Sequence, residues 1–230
     1  MNNARQNQGI DLVIFDCDGV LVDSEVISCR AHAETLTRHG YPITPDQVLK
    51  RFLGVSDREA RQTVEREMGR KLPDDFEAQM KQAALKRYAS ELEAIPHIGE
   101  AIAAIDLPKC VASSGTPEKI RHGLITAGLF DALAPHIFSA VQVARGKPAP
   151  DLFLFAAEQM KAIPSRCLVI EDSVPGVTGG RAAGMTVLGF HGGSHCTAGH
   201  ADLLRAAGAA VTFDDMRQLP EVVARMGLGS

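Results

Sequence analysis

The chain predicts an α/β fold: a Rossmann-like parallel sheet with helices on both faces, plus an inserted helical-bundle cap. Three observations predict it. Short apolar runs recur at residues 11–15, 110–112, 167–170, 186–190 and 210–213. Helical segments separate the later runs, and short buried strands alternating with helices build a parallel sheet. Residues 26–95, between the first and second runs, hold no strand pattern and read as helices alone.

Asp11-Leu12-Val13-Ile14-Phe15 is apolar after its first residue, as a strand buried on both faces requires. The helical block then carries its own punctuation. Gly40 ends the first helix. Thr44-Pro45-Asp46-Gln47 opens the second with a capping box and Pro at its first position, and Gly54 ends it. Ser56-Asp57-Arg58-Glu59 is another capping box, and Gly69 closes that helix. Asp74 and Asp75 suit the first turn of the fourth, which runs toward Glu93. The expected organisation is an α/β catalytic core of residues 9–24 and 97–230, and a helical cap of residues 25–96 over the sheet's carboxyl edge. Residues 1–8 and the last few are expected to be disordered.

Composition narrows the function. A chain of 230 residues with 45% hydrophobic and 23% charged residues can bury a sizeable core. Its net charge of −4 argues against bulk attraction to nucleic acid or an anionic membrane. It leaves anionic substrates open, because a metal and one lysine can reverse the field inside a pocket. The five cysteines form no CxxC pair and are odd in number, so they read as reduced thiols. Residues 1–9 have no apolar signal-peptide core, and no apolar run approaches the roughly 20 residues that span a bilayer. A cytoplasmic enzyme is the expectation.

Four motifs carry chemistry. Asp16-Cys17-Asp18-Gly19 directly follows the first strand. In extended chain, residues i and i+2 point the same way, so both carboxylates can converge at the strand's end. A carboxylate attacking phosphorus forms an acyl phosphate, and a second carboxyl can protonate the leaving oxygen and then activate water. Glu171-Asp172 follows a second buried strand and offers hard oxygen ligands for magnesium, or simply an acidic helix start. Ser113-Ser114-Gly115-Thr116-Pro117 follows a third strand, with Thr116 as N-cap and Pro117 at the first helical position. A hydroxyl and backbone N–H groups beside a helix start can bind phosphate, although a plain strand-to-helix turn uses the same residues. Lys147-Pro148-Ala149-Pro150-Asp151 is a rigid turn before a helix, with Lys147 expected in an extended segment. All four lie at strand ends or helix starts, so they can meet on one edge.

Together these residues, in this order, resemble the haloacid dehalogenase-like hydrolase superfamily over roughly residues 10–220. The motifs are Asp16 to Glu25, Ser113 after its strand, Lys147-Pro148-Ala149-Pro150-Asp151 and Glu171-Asp172-Ser173. The chain is most similar to the branch holding β-phosphoglucomutase, phosphoglycolate phosphatase and small sugar-phosphate phosphatases. Its cap stretches at residues 50–55 and 90–95 resemble 6-phosphogluconate phosphatase-like members. The resemblance implies Asp16 as nucleophile and magnesium ligand. It implies Asp18 as general acid/base, with its backbone carbonyl on the metal. Ser113 and Lys147 would hold the transferring phosphoryl group, Asp172 would ligate Mg2+, and Glu171 would help hold it, directly or through water. Ser114 and Gly115 join the expected phosphate-binding residues. Dehalogenases of the superfamily lack the second aspartate and the magnesium site, so Asp18 disfavours dehalogenation.

The expected reaction is magnesium-dependent hydrolysis of a small phosphate ester, a sugar phosphate or sugar-acid phosphate, through a phospho-aspartyl enzyme. The alternatives are a phosphomutase of the β-phosphoglucomutase type and a silent binding module on the same fold. Arg58 and Arg51 are the cap's candidate substrate anchors, with Arg30 and Lys50 behind them. In the mutase a basic residue stands where this chain has Asp57. His97 reads as a structural or hinge residue. His191, His195 and His200 read as part of a loop after the fourth of these strands. They could take up zinc adventitiously, but their spacing fits no zinc motif.

Overall fold

The computed structural model describes residues 9–52, 55 and 57–227. The helix end expected at Gly54, the capping box at Ser56 and the disorder expected at both termini lie outside these residues. The chain divides into two compact units: Met1–Val22 with Ala94–Ser230, and Asp23–Glu93.

The unit Asp23–Glu93 is all helical: α1 (Glu25–Arg38), α2 (Pro45–Phe52), α3 (Asp57–Met68) and α4 (Phe76–Glu91). Cys29, Ala33 and Leu36 of α1 pack with Val48 of α2, Val64 of α3, and Phe76 and Met80 of α4. The box that opens α2 is reciprocal: the Gln47 N–H donates to Thr44 Oγ1 at 3.2 Å, and the Thr44 N–H to Gln47 Oε1 at 2.9 Å. Helix α4 begins later than expected. Asp74 and Asp75 precede it, Asp75 at the N-cap, because the buried Phe76 is its first helical residue.

The other unit carries six parallel strands: β1 (Leu12–Phe15), β2 (Lys109–Ser113), β3 (Ile137–Ser139), β4 (Cys167–Glu171), β5 (Thr186–Phe190) and β6 (Val211–Phe213). Their order is β3-β2-β1-β4-β5-β6. The α-helices of this unit are α5 (Ile98–Ala104), α6 (Pro117–Thr126), α7 (Phe130–Leu133), α8 (Asp151–Gln159), α9 (Val174–Ala182), α10 (His200–Ala207) and α11 (Leu219–Gly227). Strand β1 holds the centre because all four of its side chains are apolar, and all are buried. Leu12, Ile14, Cys110 and Val169 pack on Leu152 and Phe153 of α8, Val177 of α9 and Leu204 of α10. The alternate residues Val13, Phe15, Val111 and Leu168 face the other way and are equally buried. Strand β3 was not among the expected runs. It is an edge strand of three residues, only two of them apolar, too short to show a pattern.

The connections set the site. From β1 the chain moves outward to β2 and β3, then returns across to β4 on β1's other side and continues to β5 and β6. The reversal leaves a crevice beyond the carboxyl ends of β1 and β4, where open parallel sheets bind ligands. All five cysteines are free thiols. Among the described residues, no helix is long and apolar enough to cross a membrane.

Candidate active site

Asp16 is the first residue past β1, anchored by its N–H to the Ile170 carbonyl of β4 at 3.0 Å. The chain then doubles back. The Leu21 and Val22 N–H groups donate to the Cys17 carbonyl, and the Gly19 N–H donates to the Val22 carbonyl at 2.8 Å. Gly19 has φ +79°, and a Cβ there would stand 1.9 Å from Asp172 Oδ2. Both facts demand glycine: the turn needs left-handed backbone, and the Asp172 carboxylate packs directly on it.

Strand β4 delivers Glu171 and Asp172 beside Asp16, and the ligand oxygens of all three lie within 4.8 Å of one another. All three residues are buried. Ser173 holds Glu171 with its hydroxyl at 2.9 Å from Oε2, while its oxygen accepts the Gly176 N–H and caps α9. A Cβ at Gly176 would meet the Glu171 carboxylate at 1.9 Å. The acidic pair therefore serves the helix start and the crevice at once.

Lys147 reaches this group. Its ammonium donates to Asp16 Oδ1 and to Glu171 Oε1, each at 2.6 Å, and its side chain is only 5% exposed. The segment around it is a turn closed by the Ala149 N–H on the Gly146 carbonyl at 3.0 Å, not the extended stretch the prolines suggested. Burial works against the Lys147 charge, yet Asp16 and Glu171 outweigh it and hold the ammonium protonated well above the usual lysine range. Asp16 is pushed well above the ordinary carboxylate range, first by burial and then by Glu171 and Asp172, with Lys147 pulling the other way. Three buried carboxylates, when ionised, leave excess negative charge even against the Lys147 ammonium and a protonated His195 together. Protons or a further cation must balance it. Hard oxygen donors on both strand ends fit a magnesium-sized ion.

Asp18 faces a different partner. Lys119, on the first turn of α6, donates to Asp18 Oδ2 at 2.9 Å. Sequence reasoning missed Lys119, although it left a signal: a cation in a helix's first turn opposes the helix dipole. Thr116 caps α6 as expected, accepting the Lys119 N–H, with Pro117 at the first helical position. Ser113 is buried at the end of β2, where its Oγ accepts the Gly115 N–H at 3.0 Å. That N–H is therefore committed to Ser113 rather than open to a phosphate. Ser139 Oγ donates to the Gly115 carbonyl at 2.5 Å, and Ser114 is exposed.

Behind Asp172 lies a cluster that sequence reasoning treated as an ordinary loop. His195 Nε2 stands 3.0 Å from Asp172 Oδ2, and His200 Nε2 lies 2.6 Å from the Asp172 carbonyl. Burial disfavours the His195 imidazolium, but its bonds to Asp172 and Cys196 prevail and hold its pKa up at about 10. His191 stands apart, tied by its N–H to the Phe213 carbonyl.

In the helical unit, Arg51 is already engaged. It donates to Glu67 at 2.6 Å and to the Tyr41 hydroxyl at 2.7 Å, and stacks over Phe52. Arg58 is exposed on α3, and Arg30 pairs with Glu91 at 3.3 Å.

Comparison with known proteins gives a consistent result. Residues 10–184 match the family model for haloacid dehalogenase-like hydrolases. The 6-phosphogluconate phosphatase of Escherichia coli is 36% identical over 214 residues, 93% of this chain and 94% of that protein. Hexitol phosphatase A of Escherichia coli is 34% identical over 182 residues, 76% of this chain and 80% of that protein. Among solved structures, a haloacid dehalogenase-like protein from Agrobacterium tumefaciens superposes with a TM-score of 0.86 at 39% identity, covering 95% of this chain and 99% of its own. A family hydrolase from Deinococcus radiodurans, solved with bound phosphate and sodium, gives 0.80 at 30% identity, covering 97% and 99%.

Proposed function

The chain belongs to the haloacid dehalogenase-like hydrolase family, and from that premise we propose that it is a magnesium-dependent phosphatase of a small phosphorylated sugar or sugar acid. The observation that carries this reading is the buried Lys147 bridging Asp16 and Glu171, each at 2.6 Å. One ammonium holds the candidate nucleophile against the acidic strand end, where an incoming phosphoryl group would need positive charge.

Asp16 attacks phosphorus and forms an acyl phosphate as the ester P–O bond breaks. The leaving oxygen takes a proton from Asp18. Water then attacks the phosphoryl phosphorus, Asp18 takes that water's proton, and the Asp16 carboxylate is released with inorganic phosphate. The two aspartates suit two roles because their settings differ: Asp16 is buried among carboxylates and Lys147, whereas Asp18 is more open and pairs with Lys119. Ser113, at the buried end of β2, and Lys147 hold the phosphoryl oxygens. Asp16, Glu171, Asp172 and the Asp18 carbonyl would hold magnesium, which when bound supplies charge neutralisation for the phosphate.

The substrate class rests on the relatives, whose names include a 6-phosphogluconate phosphatase, a hexitol phosphatase and a phosphorylated carbohydrates phosphatase. Solved structures titled putative β-phosphoglucomutase are 24% and 22% identical and bear on the fold alone. The test is phosphate release with magnesium across sugar phosphates, sugar-acid phosphates, phosphoglycolate and nucleotides, with Asp16→Asn in parallel. Release from a few related sugar substrates, abolished by Asp16→Asn, supports the reading. A requirement for a bisphosphate primer, with isomerised product, would replace it with the mutase.

A further inference from the structure

The loop between β5 and α10 brings two imidazoles and a thiol together beside Asp172. The donor atoms of His195, Cys196 and His200 all lie within 4.8 Å of one another. Cys196 Sγ is 3.4 Å from His195 Nε2, which is itself 3.0 Å from Asp172 Oδ2. The two rings stand edge to face, with centroids 5.7 Å apart.

These distances match a tetrahedral ion of the zinc class. Bond lengths of about 2.3 Å to sulfur and 2.0–2.1 Å to nitrogen place a thiolate and an imidazole on one tetrahedral ion about 3.5 Å apart. The donor set is selective as well. Two nitrogens and a sulfur favour a borderline-soft cation, whereas Asp16, Glu171 and Asp172 offer only hard oxygens. His195 is 3% exposed; its Nε2 faces Asp172 Oδ2 and Cys196 Sγ, and its Nδ1 has no hydrogen-bond partner. Nε2 is thus the ring atom aimed at the cluster, and a cation bound there takes the place of the proton it shares with Asp172. Cys196 is half-buried, unlike the other four cysteines, which are buried.

We propose that His195, Cys196 and His200, with Asp172 as fourth donor, form a binding site for a thiophilic divalent cation that inhibits the enzyme. Binding forms metal–sulfur and metal–nitrogen bonds and releases to solvent both the Cys196 thiol proton and the proton His195 Nε2 holds toward Asp172. Asp172 then belongs to two sites of opposite preference, and a cation drawn by sulfur withdraws it from the oxygen site. The inhibitory part rests on the reading of Asp172 as a ligand of the catalytic magnesium.

The binding test uses cobalt(II) as probe. With excess magnesium present, one equivalent of cobalt should raise a near-ultraviolet thiolate-to-cobalt charge-transfer band, which the oxygen site cannot produce. The band should persist in Asp16→Asn, vanish in Cys196→Ser and weaken in His200→Ala. No band in the wild-type chain, or an undiminished band in Cys196→Ser, overturns the site. The inhibition test titrates zinc against phosphate release, each variant normalised to its own zinc-free rate. Cys196→Ser should raise the half-inhibitory zinc concentration at least tenfold, and an unchanged value overturns the regulatory role. A chain that releases no phosphate from any substrate would defeat the phosphatase reading, while the cobalt band would still report on the site.

Discussion

The ammonium of Lys119 lies 2.9 Å from Oδ2 of Asp18, tying the first turn of α6 to the turn that leaves β1. Asp18 alternately gives and takes a proton in the proposed reaction, and Lys119 fixes where its carboxyl points. Lys119→Met should lower kcat about tenfold to a hundredfold, less than the roughly 10²–10⁴ that general acid–base catalysis contributes. Asp18→Asn should lose at least a hundredfold while still binding magnesium, because its backbone carbonyl remains. Steady-state phosphate release and calorimetric magnesium titration check the pair. Equal rates for Lys119→Met and the wild-type chain would remove Lys119 from the site.

Lys147 is the sole cation in contact with Asp16 and Glu171 among the described residues. Lys147→Met keeps most of the side chain's volume and leaves buried carboxylates facing each other. Breaking a buried pair by removing one partner costs about 3–5 kcal/mol. The variant should melt at a clearly lower temperature, recover part of that loss with added magnesium, and lose at least a thousandfold in kcat. A melting temperature unchanged from wild type would show that the carboxylates do not need this partner.

The reach of the sequence follows physical lines. Strands β1, β4 and β5 were legible because central parallel strands are apolar on both faces. Asp16, Lys147, Glu171 and Asp172 were legible as one candidate cluster because each stands past a strand end or before a helix, and the topology brings them together. Strand β3 was not, since three residues on an edge show no period. Lys119 was missed for another reason. Its partner is far away in sequence, with 101 residues separating Lys119 from Asp18. Spacing within a motif carries no trace of such a pairing. Arg51, a candidate substrate anchor by sequence, makes contacts with Glu67 and Tyr41 that no spacing showed.

Gly19 tests how closely the acidic site is packed. Alanine there must hold φ near +79° and place a methyl 1.9 Å from Asp172 Oδ2. The backbone cost alone is about 1–2 kcal/mol. The methyl must also push Asp172 away, so the half-saturating magnesium concentration should rise at least tenfold and kcat fall at least a hundredfold, with the fold retained. Circular dichroism and magnesium-dependent kinetics read the two separately. Normal magnesium dependence would mean that Asp172 can move without consequence for the metal.

Glu65 gives the helical unit a pH dependence of its own. Hydrogen bonds from Lys71 and Arg61 hold its pKa down from 4.5 to about 2 against the opposing effect of burial, with the Leu72 N–H adding to them. A depressed carboxylate binds its proton more weakly when folded than when unfolded. Its contribution to stability is therefore fully present above the unfolded value of 4.5 and is lost as pH falls toward about 2. Glu65→Gln lacks that charge at every pH. It should melt below the wild-type chain near neutrality, and the gap should close steadily between pH 4.5 and about 2. Thermal melts of both chains at stepped pH measure it. A gap that stays constant across that range would place the effect in side-chain packing rather than in the carboxylate's charge.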